Sequence, residues 1–175
     1  MIPRPSRVLN VNIPAGRAGT IATVKWMMKL VVEGEAWPEL RPIALQIVEP
    51  CESRNFRCMA EELARWVGSH MKFVNDAWRR EQLQTILYML RVIEANGYAY
   101  GDCDDYAILI AALAKSLGFP VKIRVIRYAL QSGFSHVVPV VYVRDHGWIE
   151  YDLTAPLGEV PPLPRAEVRD SPVIG

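Results

Sequence analysis

Residues 101–120, GDCDDYAILIAALAKSLGFP, set one cysteine among three carboxylates and then run into a long apolar segment. Asp102 is a residue type that caps helices, because its side chain accepts a backbone N–H that has no partner inside the helix. Cys103 then opens the helix, and the pattern carries it to Leu117. Gly118 supplies a left-handed cap, and Pro120 prevents continuation. Two readings of Cys103 stand side by side. Free cysteine is among the most buried residue types, and a cysteine at a helix N-terminus is also where a thiolate gains support.

Upstream of this stretch the periodicity is helical. Residues 1–17 hold prolines at 3, 5 and 14 and read as an extended arm. Ile21, Val24, Met28 and Val31 follow at helical spacing, with Gly34 as a stop. The segment IALQIVE, between Pro42 and Pro50, fits one or two helical turns. Phe56, Met59, Leu63, Trp66, Val67, His70 and Val74 line one helix face, and Leu83, Ile86, Leu87, Leu90 and Ile93 another, ended by Asn96–Gly97.

Downstream of Pro120 the pattern changes. VKIRVIRYA alternates, while SHVVPVVYVR and WIEYDLT are β-rich and are joined by a DHG turn. Helices before strands predict an α+β fold, N-terminal helices packed on an antiparallel sheet. The expected divisions are an arm and helical appendage over 1–50, a core over 51–160 and an extended proline-rich tail over 161–175.

With 175 residues, the chain can bury roughly 70% of its unfolded surface and needs neither disulfide nor metal to hold a core. A net charge of +1 with scattered basic residues argues against a nucleic-acid partner. The longest apolar runs are too short for a membrane span, and the N-terminus lacks the apolar core of a signal peptide. Three cysteines, Cys51, Cys58 and Cys103, form an odd and small set, which predicts free thiols in a reducing compartment. Cys51 and Cys58 have no second pair to make a zinc pattern and are read as structural. No metal and no cofactor are expected.

The chemistry turns on what faces Cys103. The helix N-terminus favours a thiolate, but Asp104 and Asp105 repel one, so a cationic partner is needed. His136 opens the second strand, and Asp152 closes the third. In a hairpin the two fall near the same open end, as a Cys–His–Asp triad requires. Register tests this. A three-residue loop with Gly147 left-handed pairs Arg144 with Trp148. Asp152 then faces Val140 and misses His136 by roughly 13 Å. A bulge or bend at Pro139 is therefore expected to restore the contact.

Other polar residues have blander readings. Asp104 and Asp105 are expected as capping carboxylates or as partners of Arg124 and Arg127, since they point apart on a helix and suit a cation poorly. His70 reads as a core or boundary histidine, His146 as exposed in its turn, and Trp148 and Tyr151 as packing, with Trp148 a candidate wall of the cleft. Trp26, Met27 and Met28 read as core.

Taken in order, GDCDDYAILIAALAKSLGFPVKIRVI, SHVVPVVYV and WIEYDLT resemble the transglutaminase-like cysteine peptidase family over roughly residues 70–157, in its small stand-alone form. The resemblance implies a papain-like, transglutaminase-like fold, with Cys103 as nucleophile, His136 as base and Asp152 as orienting acid. The implied activity is hydrolysis of an amide bond in a protein or peptide through an acyl-enzyme. The backbone N–H of Cys103 is one expected oxyanion donor, with Gln82, Gln84 and Tyr100 as upstream candidates for a side-chain donor. Many stand-alone members are encoded by bacteriophages. That implies a bacterial cytoplasm or a virion as location, and phage structural proteins as partners. The alternative is a catalytically idle fold kept for assembly.

Overall fold

Helices come first along the chain and strands close it. The computed structural model describes residues 8–11, 13–14, 16–76, 81–154 and 164–175. Its elements are β1 (Val8–Val11), α1 (Arg17–Glu35), α2 (Leu40–Ile47), α3 (Phe56–His70), β2 (Met71–Phe73), β3 (Glu81–Gln84) and α4 (Ile86–Asn96). After them come β4 (Ala99–Gly101), α5 (Cys103–Ser116), β5 (Val121–Tyr128), β6 (His136–Val143), β7 (Gly147–Glu150) and β8 (Arg165–Asp170).

Helix α5 is the pillar of the fold. The Asp102 carboxylate accepts the Asp104 N–H at 3.1 Å and starts the helix. Every residue from Asp104 to Ser116 is buried, as expected of a helix that is apolar on all sides. Its far end is clamped. Arg41 donates to the Ser116 carbonyl at 2.5 Å, and Lys115 donates to the Gly175 carbonyl at 2.6 Å and pairs with Glu35 at 3.0 Å. One hydrophobic cluster joins α5 to Met27, Leu30 and Val31 of α1, Leu63 and Val67 of α3, the β5–β6 strands, and Ile174. The N-terminal helices and the C-terminal segment thus share the core of α5.

The buried face of α1 is Met27, Leu30, Val31 and Gly34, rotated from the one read in sequence, and Ile21 is exposed. Gly34 lies inside the helix and does not stop it. A Cβ there would stand 2.2 Å from Cδ1 of Ile86, so glycine is what lets α1 and α4 touch. Helix α3 ends at His70, where Met71 turns extended to begin β2, and Val74 is exposed beyond it. Gly97 (φ +81°) and Gly118 (φ +93°) are left-handed, as read.

The main sheet has the order β7-β6-β5-β8 and is antiparallel throughout. The segment read as a tail supplies the edge strand β8, and Ile174 bridges Val121. The hairpin differs from the sequence expectation. Val143 pairs with Gly147 and Val140 with Glu150, because Asp145 (φ +67°) and Gly147 (φ +77°) both adopt left-handed backbone in the turn. The pairing of β6 with β5 runs unbroken through Ile123↔Pro139, so Pro139 makes no bulge there. Its effect falls on β7. Tyr151 N–H donates to the Pro139 carbonyl at 3.1 Å. Proline has no N–H to return the bond, and the β6–β7 ladder stops at Glu150.

The expectation of three free thiols is also corrected. Cys51 and Cys58 form a disulfide, with Cα atoms 5.8 Å apart. A tight turn (Cys51 N–H to Val48 carbonyl, 2.9 Å) and the Asn55 cap, whose side chain accepts the Cys58 N–H at 3.1 Å, bring them together. Cys103 is the free cysteine. An odd count leaves room for one bridge, and the argument for a reducing compartment falls with it.

Candidate active site

Cys103 is the first residue of α5 and His136 the first of β6, so each sits where a regular element meets its preceding loop. Both line one cavity of about 410 Å³, with Asp102, Asp104, Asn75 and Thr20 also in its walls. His136 Nε2 lies 2.9 Å from Oδ2 of Asp152. The other oxygen, Oδ1 of Asp152, accepts the Thr154 N–H at 3.1 Å and faces the Thr154 hydroxyl at 3.5 Å. Asp152 therefore reaches His136 without a bulge. In the observed register it would continue to a place opposite Val138, on the same face as His136 and diagonal to it, within reach of long side chains. The chain has already left the ladder at Tyr151, which frees Asp152 to close that gap. The Tyr128 ring stacks beside the His136 imidazole, centroids 6.0 Å apart.

Electrostatics keep the sulfur protonated. Burial, then the charges of Asp104 and Asp102, push the Cys103 thiol far above its ordinary range, against a smaller pull from the backbone N–H groups of Val137 and Cys103 itself. The contact with the Val137 backbone sets the sulfur against the residue that follows His136 in β6. The thiol also lies 3.9 Å from Oδ1 of Asp104. The resting form of this cysteine is a neutral thiol.

The acidic run has separate duties. Asp102 caps α5. Asp105 is buried and accepts the Gln84 backbone N–H at 2.8 Å and the Gln84 side-chain amide at 2.5 Å. Burial nevertheless pushes its carboxyl up to about 8, outweighing those hydrogen bonds. The expected partners Arg124 and Arg127 are elsewhere. Arg124 pairs with Asp170 of β8 and with Glu150 of β7, and Arg127 with Glu167 of β8. Asp102, Cys103 and Asp104 offer three donor atoms within 4.8 Å, the group among the described residues with metal-ligand spacing. Two of its members already serve the helix start and the thiol.

Neither glutamine singled out upstream points into the cavity. The Gln84 amide is held by Asp105 and the Tyr100 carbonyl, and the Gln82 amide donates to Asn10 at 2.9 Å. Tyr100 is half-exposed against Tyr98 and lines no part of the cavity. Asn75, Thr20, Thr23 and Ser135 do line it. Sequence reasoning passed over them because single polar residues in loops and on a helix carry no spacing signal. His70 stacks on Trp66, His146 is exposed, and Trp148 packs on Tyr142 and Lys122 at the far end of the hairpin. Trp148 does not wall this cavity.

The family model described as the transglutaminase-like superfamily matches residues 41–153. Two solved structures are similar in fold. One, described as a "putative cysteine protease" from Cytophaga hutchinsonii, is 19% identical with a TM-score of 0.51, over 75% of this chain and 42% of that one. The other, a "putative protease" from Parabacteroides distasonis, is 11% identical with a TM-score of 0.54, over 75% of this chain and 26% of that one. The chain thus spans under half the length of either. Among curated proteins none matches. The α+β architecture agrees with these structures, and the bacteriophage expectation finds no support among them. No helix among the described residues is long and apolar enough to cross a membrane.

Proposed function

The chain belongs to the transglutaminase-like superfamily, and on that premise we propose that it is a cysteine hydrolase that cuts an amide bond in a peptide or protein. The observation that carries this reading is the 2.9 Å contact of His136 Nε2 with Asp152, at the wall of a cavity that Cys103 also lines. With Nε2 committed to Asp152, Nδ1 is the ring nitrogen left for the thiol. Because Cys103 rests as a neutral thiol, the nucleophile forms only when His136 removes its proton as sulfur attacks the carbonyl carbon. The resulting oxyanion is met by the Cys103 backbone N–H at the start of α5. Collapse breaks the C–N bond, and the proton on His136 leaves with the amine. Water, deprotonated by His136, then attacks the thioester. The acid departs and the S–H is restored. Asp152 orients the ring and balances its transient charge.

The same raised thiol favours a second reading, an idle fold retained for binding. Labelling of Cys103 separates the two. With Cys51 and Cys58 bonded to each other, iodoacetamide reports on one thiol, read by mass spectrometry. His136→Ala is expected to slow labelling at pH 7.5 by about 100-fold, the low end of what a general base supplies. Equal rates in the two proteins would overturn the hydrolase reading and leave the idle fold.

A further inference from the structure

The cavity at Cys103 does not end at its own walls. Thr20, Val24, Val125 and Phe134 also bound a second cavity of about 440 Å³, between α1 and the β5–β8 edge of the sheet. The two spaces therefore adjoin, separated by one layer of side chains. The walls of the second are apolar, with Ile21 and Met28 from α1 facing Ile123 and Phe134. Ile21, on this wall, is 48% exposed.

The rim is basic. Arg17, Lys25 and Arg169 stand on it with one carboxylate, Asp170. That carboxylate is held by Arg124 at 2.7 and 2.9 Å. Arg169 is shared with Glu167. Arg17 and Lys25 are both exposed, and neither makes an ion pair with a described residue. Arg17 also opens α1, whose first turn holds no acidic residue. A cation there opposes the helix dipole, so the charge is not explained by the stability of α1. The cavity at Cys103 has the opposite sign, with Asp76, Asp102 and Asp104 in its walls. A ligand lying across both spaces meets an acidic pole at the sulfur and an apolar, basic pole beyond Phe134.

We propose that the α1–β8 groove is a substrate subsite, taking a peptide segment in which a bulky apolar side chain adjoins an acidic one. This rests on the hydrolase reading for the identity of the ligand as substrate. The apolar residue enters between Met28 and Ile123, and the carboxylate meets Arg17 and Lys25.

Binding to Cys103→Ala protein tests the groove apart from turnover. The probes are two pools of short fluorescent peptides that differ only in glutamate or lysine beside a leucine, followed by fluorescence anisotropy. The glutamate pool is expected to bind about tenfold tighter, the worth of two exposed ion pairs. Adding Arg17→Glu and Lys25→Glu should erase that preference; both sites are exposed, and glutamate suits the start of α1. Equal binding of the pools, no binding, or a preference that survives charge reversal would overturn the subsite. Cleavage by the wild-type protein is read separately. A glutamate pool that is bound but never cut would sink the hydrolase reading and leave the groove. Cleavage without any pool preference would do the reverse.

Discussion

Asp105 is 1% exposed, and its carboxyl is pushed up to about 8 by burial. A carboxyl this deep makes stability depend on pH in an unusual direction. The folded state holds a proton that the unfolded chain loses near the ordinary carboxylate value, so the contribution is complete below about pH 4. It drains away as pH rises through about 8, an effect on the order of a few kcal/mol. Asp105→Asn cannot titrate. It is expected to cost about 1 kcal/mol where an amide replaces an acceptor for Gln84, and to flatten the fall in urea midpoint between pH 4 and 8. An unchanged slope would show that Asp105 is ionised throughout. The sequence showed Asp102 as the cap of α5 but not the duty of Asp105, because the 21-residue separation of Gln84 from Asp105 carries no periodic signal.

At the level of elements, the His136–Asp152 contact depends on where one ladder stops. Pro139 takes a bond from Tyr151 and cannot return one. Pro139→Val restores the missing N–H and should let β7 grow past Glu150, drawing Asp152 toward a place opposite Val138. The expected result is a new slowly exchanging amide at 139 and Cys103 labelling slowed roughly tenfold at pH 7.5, toward the His136→Ala rate. A protected amide with unchanged labelling would show that the contact does not need the early stop. Most elements were legible here. The helix that opens at Cys103, the alternation of β5 and the Gly97 and Gly118 caps follow from local pattern. The hairpin register was missed because a left-handed Asp145 is not demanded by its residue type. β8 was missed because its pairing with β5 spans about 40 residues and its sequence, RAEVRD, is polar as an edge strand should be.

At the scale of the described molecule, the packing joins α1 and the segment around Ile174 to one central helix. Met27 of α1 and Ile174 near the C-terminus lie in the cluster that surrounds α5. Composition predicted a sizeable core but not this closure, since contacts between distant segments leave no local trace. The cysteine count misled for a related reason. Parity says how many thiols must be left over, not how many are bonded.

That remaining thiol has a chemical consequence once the fold is lost. In the native state Cys103 is held protonated at the head of α5, apart from the Cys51–Cys58 bridge. Unfolding returns it to an ordinary thiol, with a pKa of about 8.5, on a chain where it can meet that bridge. Thiolate attack on Cys51 or Cys58 then exchanges one disulfide for another and leaves a different sulfur free. Recovery of native protein after heating should be high at pH 5, fall steeply at pH 9, and be restored at pH 9 by Cys103→Ala. Loss at pH 9 that persists in the variant would point to aggregation. The residue offered as the source of reactivity in the folded protein is thus expected to make its unfolding irreversible in alkali.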